Sequence, residues 1–337
     1  MKKAVRVFLT DLIDYAGLFP PAKLPMEEAV RTYLHERETS PYQAMLGKFV
    51  CPTARLQEVL SGTNSALWDR PLPVNALGSP STQASDLVEV IEADLKSIEA
   101  YCWALLGRTP PPPPIDPDDE ENDALLPALC DLGGVHAYEF ALPKDLPSDD
   151  FIQISQRLVE SLKRTGLQAF IEVPLSARWE SDIASVCQCI SRTPTFGMKL
   201  RCGGLTPEAF PSDVQIASFI DCCRTHRVPW KATAGLHHPC RHWDASLQVW
   251  HHGFLNVFGA GILAWTNPLQ VGDIAGILAD RTAQHFRFEP DCFAWKDWSC
   301  SAGQVVLARD DFATAFGSCS FTEPCQDLIA MGMLGSP

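Results

Sequence analysis

The sequence lacks the features that mark membrane, nucleic-acid-binding and nucleotide-binding proteins. No apolar run approaches the roughly 18–20 residues needed to cross a bilayer, so we expect no membrane partner. Basic residues are few, 27 Lys and Arg against 41 Asp and Glu, and the net charge of −14 argues against nucleic acid as a partner. Neither a G-x-G-x-x-G turn after a strand nor a G-x-x-x-x-G-K-[ST] loop is present, and we therefore expect no cofactor.

The sequence shows no paired zinc-knuckle motifs, and its amino-terminal stretch is not expected to act as a secretory leader. The 13 cysteines form no paired C-x-x-C motifs, since a single residue separates Cys187 from Cys189 and Cys222 is adjacent to Cys223. Most of them are expected to be small buried residues of a reducing compartment. The amino-terminal apolar stretch is interrupted by Arg6 and lacks a clear cleavage site, unlike a signal peptide. We therefore expect a soluble, cytoplasmic protein.

Short apolar segments typical of strands alternate with amphipathic helical patterns along the chain. The eight candidate strands lie at 5–12, 45–51, 72–77, 135–142, 168–173, 197–201, 229–233 and 254–258. This alternation predicts an α/β fold, a (β/α)8 TIM-type barrel, because no Gly-rich turn favours a doubly wound sheet. The barrel is expected to span residues 1–287, with an acidic, proline-rich insert at 109–123 and a carboxy-terminal extension, 288–337, packed on it.

Positive side chains cluster on the sixth and seventh predicted strands. In FGMKLRCGG, alternation places Lys199 and Arg201 on one face, and in VPWKATAGLHHP it places Lys231 and Thr233 together. The carboxyl ends of barrel strands form the active site, so these cations are expected to meet at one mouth. A lysine beside other cations has a lowered pKa and can attack a carbonyl. The same cluster also suits a phosphate or carboxylate.

Acidic and amide side chains complete the expected site. Glu139 in strand four and Glu172 in strand five are flanked by apolar residues, where a charge needs a partner. Pairing with the lysines and proton transfer are their expected roles. Asp14 after strand one and Asn256 at the end of strand eight are further candidates to line the site.

Glycines and histidines follow the last predicted strands. Gly203 and Gly204 after strand six, Gly235 after strand seven, and the glycines of 259–261 after strand eight are expected to form an anion cradle. Five histidines lie between strands seven and eight, a density that suggests zinc. Because strand one has no H-x-H pair, we assign no metal and expect His237 or His238 to contact substrate or transfer protons. Cys319 has no basic neighbour in the sequence and is expected to be a buried cysteine.

The segments FIEVPL, MKLRCGG and WKATAGLHH resemble strands five to seven of deoxyribose-phosphate aldolase-type class I aldolases. In that family a glutamate ends strand five, a strand-six lysine forms an imine, and a strand-seven lysine tunes it. The resemblance implies that Lys199 forms the imine, that Lys231 is its tuning partner, and that Glu172 is the strand-five carboxylate. The chain departs from the family pattern at Arg201 and Cys202, which replace small hydroxyl residues.

A second resemblance extends over nearly the whole chain. DYAGLFPPA, KLRCGG, KATAGLHHP, HGFLNV and FGSCSFTEP resemble a family of bacterial barrel proteins with no assigned activity. This resemblance implies the barrel fold, and its segments contain many of the same candidate site residues, but it implies no reaction.

These features lead to three hypotheses about function. The first is a Schiff-base, class I aldolase-like carbon–carbon lyase that acts on a small anionic carbonyl compound, with a phosphorylated substrate among the options. The second is an isomerase, epimerase or decarboxylase that stabilises an enolate with cations or a divalent metal. The third is a non-catalytic ligand-binding barrel. The first is our leading hypothesis, and the third is the least favoured because so many ionisable side chains converge. Assembly into a homo-oligomer is left open.

Overall fold

A computed structural model of the protein describes residues 2–61, 71–107, 130–144, 146, 148–163 and 165–335. Eight parallel strands close into a barrel, with helices between successive strands. The predicted α/β fold of the (β/α)8 TIM type is confirmed. The proline-rich insert expected at 109–123 lies outside the described residues.

The barrel strands follow one another around the cylinder in chain order. They are β1 Ile13–Tyr15, β2 Leu46–Pro52, β3 Val74–Leu77, β4 Val135–Ala141, β5 Gln168–Glu172, β6 Phe196–Arg201, β7 Trp230–Thr233 and β13 Ala313–Ser318. The described α-helices are α1 Lys3–Leu9, α2 Met26–Thr39, α3 Leu56–Ser61, α4 Leu87–Leu105, α5 Ser148–Lys163, α6 Trp179–Ile190, α7 Asp213–His226, α8 Phe254–Thr266, α9 Val271–Ala279, α10 Ala302–Asp311 and α11 Thr322–Ala330.

The long connection from β7 to β13 contains two small sheets of its own. One is a hairpin of β8 His242–Asp244 and β9 Val249–His251, and the other is an antiparallel sheet of β10 Phe286–Phe288, β11 Cys292–Trp295 and β12 Trp298–Ser301. Among the helices described, none combines the length and the apolar character that crossing a bilayer requires.

The first predicted strand, at 5–12, is wrong for most of its length, because residues 5–9 belong to helix α1. The buried residues of α1 repeat at the three- and four-residue spacing of one helical face and are Ala4, Val5, Phe8 and Leu9. The strand that follows, β1, is only three residues long and pairs with β2 and β13.

The eighth strand was expected in the wrong segment. Residues 254–258 begin helix α8, which is buried along nearly its whole length, so its apolar run has no one-sided pattern to distinguish it from a core strand. The barrel is closed instead by β13, which pairs with β1 and β7. Segment 288–337, expected to be an extension packed on a barrel of residues 1–287, therefore contributes a barrel strand.

The interior of the barrel is polar, whereas branched apolar side chains ordinarily fill this space. Phe316 of β13 points outwards and stacks on Phe254 of α8, with ring centroids 5.3 Å apart. Alternation along the strands directs a second set of side chains inwards. The buried polar members of this set are Asp14, Asn75, Glu139, Glu172, Lys199 and Lys231. Because charges removed from water are costly when unpaired, these groups must pair with one another.

Candidate active site

Two lysines on neighbouring strands share one carboxylate inside the barrel. Lys199 of β6 lies opposite Lys231 of β7 in the register of the two strands. The Nζ atom of Lys199 lies 3.0 Å from Oε2 of Glu139, and the Nζ of Lys231 donates a hydrogen bond to Oε1 of the same carboxylate. The two amines therefore lie close together, with the Glu139 carboxylate between them.

The network continues from Lys231 to Asp14 on the first strand. The Nζ of Lys231 donates to Oδ2 of Asp14 at 2.7 Å, and Nδ2 of Asn75 donates to the same oxygen at 2.8 Å. The other oxygen, Oδ1, accepts the backbone N–H of Lys48 at 2.7 Å. The Nζ of Lys231 also lies 5.5 Å from the ring centroid of Phe170, a cation–π distance. Two carboxylates and an aromatic ring thus surround the Lys231 ammonium group.

In the other direction the network runs from Lys199 to the carboxyl mouth of the barrel. The Nζ of Lys199 lies 3.5 Å from Oε2 of Glu172, whose Oε1 accepts a hydrogen bond from Nε of Arg201 at 2.7 Å. The Arg201 side chain is 48% exposed, whereas that of Lys199 is 5% exposed. Thr233 lies opposite Arg201 in the strand register, at the same level of the mouth. Arg201 is therefore the solvent-facing end of the network.

Positive and negative groups alternate along this network, and the alternation shifts the pKa of Glu139, Glu172 and Lys231. Burial opposes ionisation of Glu139, but Lys231 and Lys199 outweigh it and hold its pKa at about 2. Burial likewise opposes ionisation of Glu172, yet Lys199 and Arg201 lower its pKa below the ordinary value. For Lys231, burial favours the neutral amine, but Asp14 and Glu139 reverse this and raise its pKa. We expected neighbouring cations to lower the pKa of the lysines. This is not met at Lys231, because carboxylates lie between the cations and raise its pKa.

The two candidate histidines lie beside acidic residues of helix α11, which follows β13. Nδ1 of His237 is 3.2 Å from Oε2 of Glu323, and Nδ1 of His238 is 2.6 Å from Oδ2 of Asp327. A proton on Nδ1 would donate to the carboxylate in each pair and leave Nε2 as the basic nitrogen. Cys319 also has a basic neighbour that the sequence did not reveal, because its Sγ lies 4.0 Å from Nδ1 of His237. Burial raises the pKa of the Cys319 thiol, which favours its neutral form.

The glycines after β6 and β7 allow two loops to approach closely. A Cβ atom on Gly203 would lie 3.1 Å from the Cα of Gly235, and a Cβ on Gly204 would lie 2.6 Å from the Cβ of Ala209. Gly235 has a φ of +72°, which side-chain-bearing residues rarely adopt. Close packing thus accounts for these glycines, and anion binding by their backbone stays a prediction.

Asn256 does not lie at the mouth, contrary to expectation, because it belongs to the buried helix α8. Its Nδ2 donates to the backbone oxygens of Ile277 and Asp280, at 2.8 and 2.7 Å, and its Oδ1 accepts the backbone N–H of Arg241. The glycines of 259–261 are also helical, and a Cβ on Gly261 would lie 2.5 Å from Cζ2 of Trp230. The close approach of α8 to β7 explains that glycine, and the cradle expected after strand eight is not formed.

Sequence reasoning missed three polar partners at the site: Asn75, Glu323 and Asp327. Asn75 is an isolated amide in a short strand, and the two acidic residues occur in a helix after the strand that was misplaced. No pattern in the sequence connects them to Asp14 or to the histidines. Within the described ranges, no group of three or more His, Cys, Asp or Glu side chains is arranged to hold a metal ion.

Comparisons with protein families and with curated proteins found no relative of this chain. No protein-family model matches the sequence, and no curated protein matches it at a significant level. The chemistry of the site is therefore inferred from its own geometry.

Proposed function

We propose that the protein is a carbon–carbon lyase that binds a small anionic carbonyl compound as a Schiff base on Lys199. The observation that carries the proposal is the shared Glu139 carboxylate, which holds two inward-facing lysine amines side by side. Lysine is the side chain that forms imines with carbonyl substrates. Buried ionisable groups that meet at the inner end of a barrel mouth are typical of catalytic sites.

The partners of the two lysines differ, and the difference favours Lys199 as the nucleophile. Lys231 is enclosed by Asp14 and Glu139, and its raised pKa keeps it an ammonium ion at neutral pH. Lys199 shares Glu139 but has Glu172 as its second carboxylate, and Glu172 is joined to the exposed Arg201 at the mouth. A substrate that enters at the mouth reaches Lys199 first, while Lys231 keeps Glu139 ionised.

The carboxylates beside Lys199 supply the proton transfers that imine chemistry needs. Glu172 takes a proton from the Lys199 ammonium group, and the free amine attacks the substrate carbonyl carbon to give a carbinolamine. Glu172 then returns the proton to the carbinolamine hydroxyl, which leaves as water as the protonated imine forms. The protonated imine accepts the electron pair of the neighbouring carbon–carbon bond as a base removes the proton of the substrate hydroxyl. A carbonyl fragment departs, the resulting enamine is protonated on carbon, and water releases the second fragment from Lys199.

Residues at the mouth are suited to hold the anionic end of the substrate. Arg201 uses Nε for Glu172, and its terminal nitrogens make no hydrogen bond to a described residue. A guanidinium presents those nitrogens as a fork to a carboxylate or phosphate. Nε2 of His237 is the candidate base for the substrate hydroxyl, because Nδ1 faces Glu323. Thr233 and the loops at Gly203 and Gly235 complete the proposed binding surface.

A second candidate function is supported by the fixed charge on Lys231. A permanent ammonium ion next to the site can stabilise an enolate without a covalent bond, as an isomerase, epimerase or decarboxylase requires. In that case no adduct forms on either lysine, so the two functions are distinguished by trapping the imine.

The proposed function predicts a stable adduct on Lys199 after borohydride reduction. The protein is incubated with a panel of small aldehydes, 2-oxo acids and phosphorylated ketoses, reduced, and examined by intact-mass and peptide mass spectrometry. We expect one reduced adduct, on Lys199, because borohydride converts the imine to a secondary amine.

Two variants control the trapping experiment. Lys199→Arg keeps a positive charge beside Glu139 and Glu172 but cannot form the imine, so the adduct should disappear. Lys144→Arg changes an exposed lysine after β4 and should leave the adduct unchanged. An adduct at another lysine, or one that survives Lys199→Arg, contradicts the assignment of Lys199, and turnover of a substrate without any adduct favours the enolate mechanism.

A further inference from the structure

Three cysteine thiols meet between two neighbouring helices on the outside of the barrel. Cys187 lies in the last turn of α6, and Cys222 and Cys223 are adjacent near the end of α7. The two helices follow β5 and β6 and pack side by side, with the rings of Trp179 and Phe219 stacked at a centroid distance of 6.3 Å. This packing brings together cysteines that are far apart in the chain.

The sulfur atoms of the cluster are close enough to interact directly. Sγ of Cys187 lies 3.9 Å from Sγ of Cys223, and the Cys222 thiol is a further hydrogen-bond partner of Cys187. Cys187 and Cys223 are 0% exposed, whereas Cys222 is half-buried. A small reagent from solvent therefore reaches Cys222 first, and Cys187 is the neighbour across the helix interface that can react next.

The surroundings of these cysteines keep them protonated at neutral pH. The hydrogen bond to Cys187 and burial raise the pKa of Cys222 above its ordinary value. The hydrogen bond from Cys222 favours the Cys187 thiolate, but the contact with Cys223 and burial outweigh it and raise the pKa of Cys187. Because the thiolate is the reactive form of cysteine, oxidation of the cluster is expected to be faster above neutral pH.

We propose that Cys187 and Cys222 form a two-cysteine redox site that closes to a disulfide when hydrogen peroxide oxidises Cys222. The Cys222 sulfur attacks one peroxide oxygen, the oxygen–oxygen bond breaks, and Cys222 becomes a sulfenic acid as one water leaves. The Cys187 sulfur then attacks the sulfenic sulfur, the sulfur–oxygen bond breaks, and a second water leaves. The two thiols lose two protons and two electrons, which reduce the peroxide to two water molecules.

The disulfide would join α6 to α7 covalently. These helices follow the strands that carry Glu172, on β5, and Lys199 and Arg201, on β6. The proposal does not depend on the reaction at Lys199, because the thiols lie on helices outside the ring of strands.

Peptide mapping of the oxidised full-length protein tests the site. The protein is treated with hydrogen peroxide at about pH 8.5, where the thiolate fraction is higher than at neutral pH. The remaining thiols are then alkylated, and the chain is digested with trypsin. We expect the peptides 179–192 and 202–224 to be recovered as a cross-linked pair that dithiothreitol separates.

Substitutions assign the bond, because each of the two peptides contains more than one cysteine. Cys222→Ser, at a half-buried position where the variant is expected to fold, should lower the yield of the linked pair about tenfold or more. Cys187→Ala should have the same effect, with its fold checked by circular dichroism. Cys189→Ser removes another half-buried cysteine of α6 and should change the yield less than about twofold.

The proposal is overturned if the wild-type protein gives no linked pair that dithiothreitol separates. It is also overturned if the link persists in Cys222→Ser, or if Cys189→Ser abolishes it. None of these results changes the expected adduct on Lys199, so the redox site and the proposed lyase function stand or fall separately.

Discussion

Replacing Glu139 with glutamine is expected to lower the free energy of unfolding by about 3–5 kcal/mol, the typical effect of removing one partner of a buried ion pair. The amide is nearly the same size as the carboxylate but carries no charge. Lys199 would keep only Glu172, at 3.5 Å, and Lys231 would keep only Asp14. Both lysines would then remain buried with less compensation than folding requires. Urea unfolding followed by tryptophan fluorescence and circular dichroism measures the change.

An exposed glutamate provides the matched control for this substitution. Glu58 pairs with Arg55 at 2.7 Å, but their side chains are 48% and 35% exposed. Glu58→Gln removes the same charge from a solvated pair and should cost less than about 1 kcal/mol. If Glu139→Gln is no more destabilising than Glu58→Gln, the shared carboxylate does not hold the two lysines as described.

Stability is expected to decrease below about pH 4.5, because Glu139 takes up a proton there in the unfolded chain but stays ionised in the folded protein. Its pKa is about 2 in the folded protein, against an ordinary value of 4.5. A carboxyl group whose pKa is lowered by folding stabilises the folded state above its ordinary pKa, and this stabilisation is lost as the pH falls towards the folded value. The difference between the two values corresponds to about 3 kcal/mol. The lowered pKa of Glu172 acts in the same direction.

Comparison of wild type with Glu139→Gln isolates this contribution from those of the other carboxyl groups. Urea unfolding at about pH 7, 5, 4 and 3 should show that the stability difference between the two proteins shrinks by about 2 kcal/mol between the first and last values. Lys231 does not interfere, because its pKa is raised above 10.5 and its stabilisation is fully present below that pH. A stability difference that stays constant with pH would contradict the lowered pKa of Glu139.

Much of the barrel was predictable because strand alternation and helical periodicity are local properties. The same alternation correctly grouped Lys199 with Arg201 and Lys231 with Thr233, since side chains two residues apart share a face of a strand. The eighth strand was not predictable in this way. Its sequence, ATAFGS, is small and only partly apolar, whereas the buried helix α8 has the continuous apolar run expected of a core strand.

The partners within the site depend on closure of the barrel, which no local pattern contains. Asp14 and Lys231 are 217 positions apart in the chain and meet only because β13 lies between β1 and β7 in the closed sheet. Once β13 is misplaced, Glu323 and Asp327 of the following helix cannot be assigned to the mouth.

A double-mutant cycle between Glu139→Gln and Lys231→Met tests the shared carboxylate most directly. The free energy of unfolding is measured for the wild type, the two single variants and the double variant under identical conditions. We predict that the double variant is less destabilised than the sum of the single variants by about 2 kcal/mol, because each single change leaves a buried charge that the other change removes. Single effects that add to within about 0.5 kcal/mol would contradict the network and, with it, the pairing of the two lysines inside the barrel.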